Sequence, residues 1–133
     1  MLNVMIYLDN AATSRFKPKC VMNALLFDLA HSANAGRSGH SESIAKTILI
    51  DDCRTFLLSK LANTDEFDLV FTKNCTEALN LAILGFLQAG DKVVTTKNEH
   101  NSVLRPLFKL KKDGLINLEI ADTTSDGHID YED

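Results

Sequence analysis

Two hydrophobic periods run along this chain. Val21, Met22, Leu25, Leu26 and Leu29 recur at three-to-four spacing, which predicts an amphipathic helix over about 18–31 that opens at Pro18. From Ser43, the positions Ala45, Ile48, Leu49, Phe56 and Leu57 predict a second helix, with Asp51, Asp52 and Arg54 off its apolar face. A third helix is predicted over about 75–88, stopping at Ala89-Gly90-Asp91, where Gly90 suits the position just past a helix end. A fourth covers about 102–112 and ends in KLKKDG, whose lysines suit the negative end of the helix dipole. Short apolar runs separate these helices. DLVFT (68–72), KVVTT (92–96) and INLEIA (116–121) read as strands, and VMIYL (4–8) as a strand or extended arm.

The order after residue 63 is therefore strand, helix, strand, helix, strand. That alternation implies an α/β layer with three parallel-type strands. Residues 1–16 form an N-terminal arm, 17–62 a helical segment and 63–133 the α/β part. The tail TTSDGHIDYED reads as a loop with a turn at Asp126-Gly127.

Composition narrows the classes. The chain has 133 residues, 45% of them hydrophobic, which is enough for one domain with a real core. Net charge is −4, so nothing suggests a nucleic-acid partner. Cys20, Cys53 and Cys75 show no metal-ligand spacing and no disulfide framework, which points to a reducing compartment. The first residues, MLNVMIYLDN, carry no basic region and no long apolar run, so no signal peptide is expected. No apolar run approaches the roughly 20 residues of a membrane span. The expectation is a soluble cytoplasmic protein.

Candidate chemistry begins at FTKNCTEALN (71–80), an apolar run, a polar turn and a helix start. The first N–H groups of a helix lack internal partners and carry partial positive charge, so phosphate binds there readily. Cys75 and Thr76 occupy that position. The structural alternative is a capping box of Asn74 and Glu77. Neither GxxxxGK[ST] nor GxGxxG is present. Cys75 is a thiol at a helix N-terminus, where the thiolate is favoured, or else a small buried hydrophobe, as Cys20 and Cys53 are expected to be. His100 follows the second strand and faces the strand ends where ligands collect in open α/β sheets. It either stacks on an aromatic ligand and moves protons, or lies on the surface while Asn98 or Asn101 caps helix four. NAGRSGH (34–40) sets Arg37 and His40 in a glycine-bearing loop suited to a carboxylate or phosphate, or to a solvated helix connection. In DNAAT (9–13), Asp9 can simply cap a turn.

Taken together, YLDNAATS, KP, NAGRSGH, VFTKNCTEALNLA and GDKVVTTKNEHNSVLRPL occur in the order that resembles the amino-terminal part of the class V aminotransferase family. The chain is most similar to its NifS-like cysteine desulfurases, over nearly its whole length. The resemblance implies a partial large domain of the fold type I pyridoxal 5′-phosphate transferases, preceded by the arm and two helices. It implies a parent enzyme that takes sulfur from L-cysteine as an enzyme-bound persulfide and releases alanine. Parents that act on selenocysteine or transfer amino groups are alternatives, and so is a non-enzymatic α/β module that binds an anion or a partner. By motif position, Cys75 and Thr76 match the residues that hold the cofactor phosphate, and His100 the histidine that stacks on the pyridine ring. Cys75 stands where a small or hydroxyl residue is common, which leaves its backbone N–H as the contact. Asn10, Ala11 and Ala12 match the arm bordering the active site, and Arg37 and His40 the loop near the substrate entrance. Glu77 and Asn80 are read as structural. A sulfur-acceptor protein is a possible partner of the parent; strand edges left exposed in this chain invite a homo-oligomer, and the cysteine spacing suggests no metal.

The resemblance requires a lysine that holds the cofactor aldehyde, an acidic partner for the pyridine nitrogen and a sulfur-accepting cysteine. Lys73, Lys92 and Lys97 do not match that lysine, and none of the three cysteines matches the acceptor. The sequence therefore predicts no catalytic residue in this chain, weak or absent cofactor binding, and no turnover by the chain alone. It also leaves open whether DLVFT and KVVTT are separated by a gap or pair in another way.

Overall fold

A computed structural model of the chain describes residues 5–61 and 66–130. The chain divides into two compact units, Met1–Leu69 and Val70–Asp133.

The first unit contains α1 (Lys19–Ala30) and α2 (Ser41–Leu61). Pro18 is the cap of α1, and its carbonyl accepts from Val21 and Met22. Proline fits here because the first helical turn needs no N–H from it. The loop between the helices is fastened to the start of α2. Ser43, wholly buried, donates its hydroxyl to the Asn34 carbonyl at 2.6 Å, and Gly36 N–H donates to Thr47 Oγ1 at 2.9 Å. An ion pair joins Lys46 of α2 to Asp28 of α1. The predicted apolar face of α1 is present but largely exposed, with Leu25 54% exposed and Leu29 66%. Two helices and a loop supply too little surface to bury a full apolar stripe on each.

The second unit runs α3 (Cys75–Phe86), β1 (Lys92–Thr96), α4 (Asn101–Lys112) and β2 (Asn117–Ala121). β1 and β2 pair in parallel, Val93 opposite Leu118 and Thr95 opposite Ile120, with α4 as the crossover. Gly90 makes the turn into β1 at φ +95°, a conformation that costs a side-chain-bearing residue energy. Its N–H donates to the Leu115 carbonyl at 2.8 Å, and Asn117 N–H to Asp91 O at 2.8 Å, which starts the ladder in register. The core is Leu107, Ile116 and Leu118, with Ile83, Leu87 and Val103 packed against it. Burying each such aliphatic side chain is worth about 1.5–3 kcal/mol.

Three expectations are corrected. Residues 68–72 are not a strand; β1 and β2 are the strands of the described residues. An apolar run becomes a strand only when it joins a hydrogen-bonded ladder, and among the described residues β1 and β2 pair with each other and not with 68–72. The expected sizeable core is reduced to three buried hydrophobic side chains among the described residues. Cys20 and Cys53 are exposed, as is Cys75, so they do not act as packing residues. The tail does turn at Asp126-Gly127, closed by a bridge between Thr123 and Ile129. Among the described residues, no helix is long and apolar enough to cross a membrane.

Candidate functional site

The first turn of α3 is built by its cap. Asn74 is extended, and its side chain accepts from Glu77 N–H at 2.9 Å. Glu77 returns its carboxylate to the Lys73 N–H at 2.7 Å, one residue earlier than a capping box requires. Thr72 donates its hydroxyl to the Asn74 carbonyl at 3.0 Å. These bonds consume the third N–H of the helix. The N–H groups of Cys75 and Thr76 have no acceptor among the described residues, and neither has the Thr76 hydroxyl. Three donors thus stand at the positive end of a 12-residue helix.

The start of α4 is built by His100. It is the N-cap itself, its Nδ1 accepting from Ser102 N–H at 3.1 Å and lying 2.7 Å from Ser102 Oγ. Since Nδ1 is an acceptor, the proton of the neutral ring sits on Nε2. Asn98, one of the two caps weighed from the sequence, is engaged elsewhere: its amide donates to the Gly127 carbonyl at 3.1 Å. Pro106 lies within α4 and lacks the N–H that would bond Ser102 O. That carbonyl instead faces Asn80 Nδ2 of α3 at 3.4 Å, while the same amide nitrogen donates to Thr76 O at 2.8 Å.

The two helix starts share one cleft of about 300 Å³, lined by Thr76, Asn80, His100, Asn101, Ser102 and Arg105. Two of the three cofactor residues expected from the sequence, Thr76 and His100, are brought together 24 positions apart in the chain. Cys75, the residue before Thr76, is exposed and is not among the residues that line the cleft. No lysine lines the cleft. Asn80, Ser102, Arg105 and Pro106 were not recognised as site residues from the sequence. The legible signal was Pro106 inside a helical pattern, which announces an unpaired carbonyl four residues earlier.

The remaining candidates lie in the first unit. Asn10 uses both ends of its amide, Nδ2 to Tyr7 O at 3.4 Å and Oδ1 from Arg15 N–H at 3.3 Å. Asp9 closes the turn with its backbone carbonyl, which accepts from Ala12 and Thr13. Ala11 and Ala12 are exposed in that turn. Arg37 is exposed too. His40 Nδ1 lies 3.3 Å from Ser43 N–H, as a cap for α2, and 3.1 Å from the Glu42 carboxylate. The Glu42 carboxyl is held below its ordinary range, first by its own backbone N–H, then by the Ser41 hydroxyl and His40.

The donor set in the cleft suits an anion joined to a flat ring. Residues 6–133 match the family model of class-V aminotransferases. A probable cysteine desulfurase of Pyrococcus abyssi (strain GE5 / Orsay) is 36% identical over 132 residues, spanning 96% of this chain and 32% of that protein. A cysteine desulfurase of Bradyrhizobium diazoefficiens is 35% identical over 130 residues, spanning 96% of this chain and 33% of that protein. The apo structure of the cysteine desulfurase from Thermococcus onnurineus NA1 superposes with a TM-score of 0.78 at 36% identity, over 94% of this chain and 32% of that one. This chain thus spans about a third of the length of the curated relatives it matches. Its mixed helices and parallel strands have the arrangement of the amino-terminal region of the fold type I enzymes. The chain belongs to the class-V aminotransferase family.

Proposed function

We propose that the cleft between α3 and α4 is the phosphate-and-ring part of a pyridoxal 5′-phosphate site in a cysteine desulfurase-like protein. The carrying observation is that Thr76 and His100 line one cleft while the N–H groups of Cys75 and Thr76 have no acceptor among the described residues. The phosphate would be held by those two N–H groups and the Thr76 hydroxyl, on the positive end of α3. The ring would lie against the His100 imidazole, whose orientation is already set by its bonds to Ser102. Arg105 adds a cation to the same cleft. When bound, the cofactor supplies an electron sink for charge developing on an amino-acid substrate. The chain's own residues bind and orient it. By their match to the family's motifs, Asn10, Ala11, Ala12, Arg37 and His40 are assigned to the substrate side of a longer enzyme, whose substrate would be L-cysteine, its sulfur passing to a cysteine that none of this chain's three matches and then to an acceptor protein.

The cleft contains no lysine to hold the cofactor aldehyde. The chain by itself is therefore assigned binding without turnover. Titration with pyridoxal 5′-phosphate, followed by absorbance and fluorescence, tests the site. A saturable shift that weakens in Thr76→Ala and in His100→Ala is expected; no shift with the unaltered chain overturns the reading. Alanine or sulfide production from L-cysteine above a cofactor-only control overturns the absence of turnover.

A further inference from the structure

We infer that Asn80 is a positioning residue, which stands in for the backbone donor that Pro106 lacks and so holds the His100 turn of α4 against the Thr76 turn of α3. In an uninterrupted helix, Ser102 O would accept from the amide of residue 106. Proline has no N–H, so the carbonyl needs a donor from outside its own helix. Ser102 is buried, which makes an unmet carbonyl there costly. Asn80 Nδ2, with two hydrogens, reaches Ser102 O at 3.4 Å and Thr76 O at 2.8 Å. One amide thereby joins the carbonyl of the residue that carries the candidate phosphate hydroxyl to the carbonyl of the residue that orients His100. Both bonds come from the same side chain, so moving either helix start strains the other. The assignment of what this geometry serves rests on the cofactor site proposed above.

A double-mutant cycle decides it. Pro106→Ala returns an N–H to position 106, and with it an internal donor for Ser102 O. Asn80→Ala in the unaltered background is expected to move the His100 ring-nitrogen signals in long-range ¹H–¹⁵N spectra toward those of a free imidazole. It is also expected to weaken pyridoxal 5′-phosphate binding about tenfold, the loss of one hydrogen bond's worth of positioning. In the Pro106→Ala background, the same Asn80→Ala change is expected to leave both readouts within about twofold. Asn80→Asp keeps the volume and removes the donors, so it should behave as Asn80→Ala does. If Asn80→Ala fails to fold and the double variant folds, the inference stands; if neither folds, it fails. Equal losses in both backgrounds, or no change in His100 signals on Asn80→Ala, also overturn it. Should the unaltered chain bind no pyridoxal 5′-phosphate, the proposed cofactor site falls, and the His100 signals still decide the role of Asn80.

Discussion

His100 caps α4 through Ser102: its Nδ1 takes the Ser102 N–H at 3.1 Å with the hydroxyl 2.7 Å away. One imidazole therefore has two separable duties, to start a helix and to present a flat ring to the cleft. His100→Asn retains a good capping group and removes the ring. His100→Ala removes both. Stability by urea unfolding should fall by about 1 kcal/mol in His100→Ala and by much less in His100→Asn. Cofactor affinity should fall in both alike. If His100→Asn binds pyridoxal 5′-phosphate as tightly as the unaltered chain, the ring has no part in binding.

Cys75 is the first residue of α3, and the extended Asn74 before it, at φ −166° and ψ 171°, tolerates a following proline. Cys75→Pro thus deletes one candidate phosphate donor at a position where proline suits a helix. The thermal midpoint should hardly change. Affinity for pyridoxal 5′-phosphate should fall roughly tenfold to a hundredfold, the range for a hydrogen bond to a charged group. Cys75→Ala, which keeps the N–H, should bind as the unaltered chain does. Loss of affinity in Cys75→Ala would move the function from the backbone to the thiol.

These two residues also mark how far the sequence could be read. The start of α3 was legible because its cap, Asn74, and the returning Glu77 are local, within four positions of each other. β1 was legible because the polar turns at both ends bound a short β-branched run. The cap of α4 was not, since Asn98, His100 and Asn101 compete locally, and Asn98 is withdrawn by Gly127, 29 residues onward. The strand expected at DLVFT failed for a similar reason. An apolar run records a tendency to be buried, and nothing in it names the neighbour that must pair with it. Val93 and Leu118 pair with each other across the sheet; among the described residues, 68–72 join neither strand.

Lys97 and Asp122 stand just beyond the ends of β1 and β2 and pair at 2.6 Å. The Lys97 hydrogen bond, then the Thr123 N–H, holds the Asp122 carboxyl below its ordinary range. A carboxyl depressed in the folded state stabilises the fold above its unfolded value, near pH 3.9, and that contribution is lost as pH falls through the folded value. Asp126 acts with the same sign, held down first by the Thr124 hydroxyl. Unfolding followed from pH 7 to pH 2 should therefore show stability declining below about pH 4. Asp122→Asn should be less stable than the unaltered chain at pH 7 and should converge with it at pH 2. Parallel curves across that range would show that the pair makes no difference to folding. Both side chains are about half exposed, so added salt should shrink the effect at neutral pH.

Val94 is 69% exposed on β1 and Phe86 81% exposed at the end of α3. Both line an apolar groove of about 500 Å³, along with Ile83, Leu87 and Val93. In a two-stranded sheet, each strand also keeps one edge without a partner. Bare apolar surface beside an open strand edge favours pairing with another chain. Light scattering during size-exclusion chromatography should give a mass above the 14.7 kDa of one chain, rising with concentration. Val94→Lys places a charge on that surface without touching Leu107, Ile116 or Leu118. It should shift the population toward the monomer while the unfolding midpoint moves little. A chain that is monomeric at every concentration, and unchanged by Val94→Lys, would show that this face makes no contact with a second copy. An unaltered assembly in Val94→Lys, with mass still rising, would place the contact elsewhere on the chain.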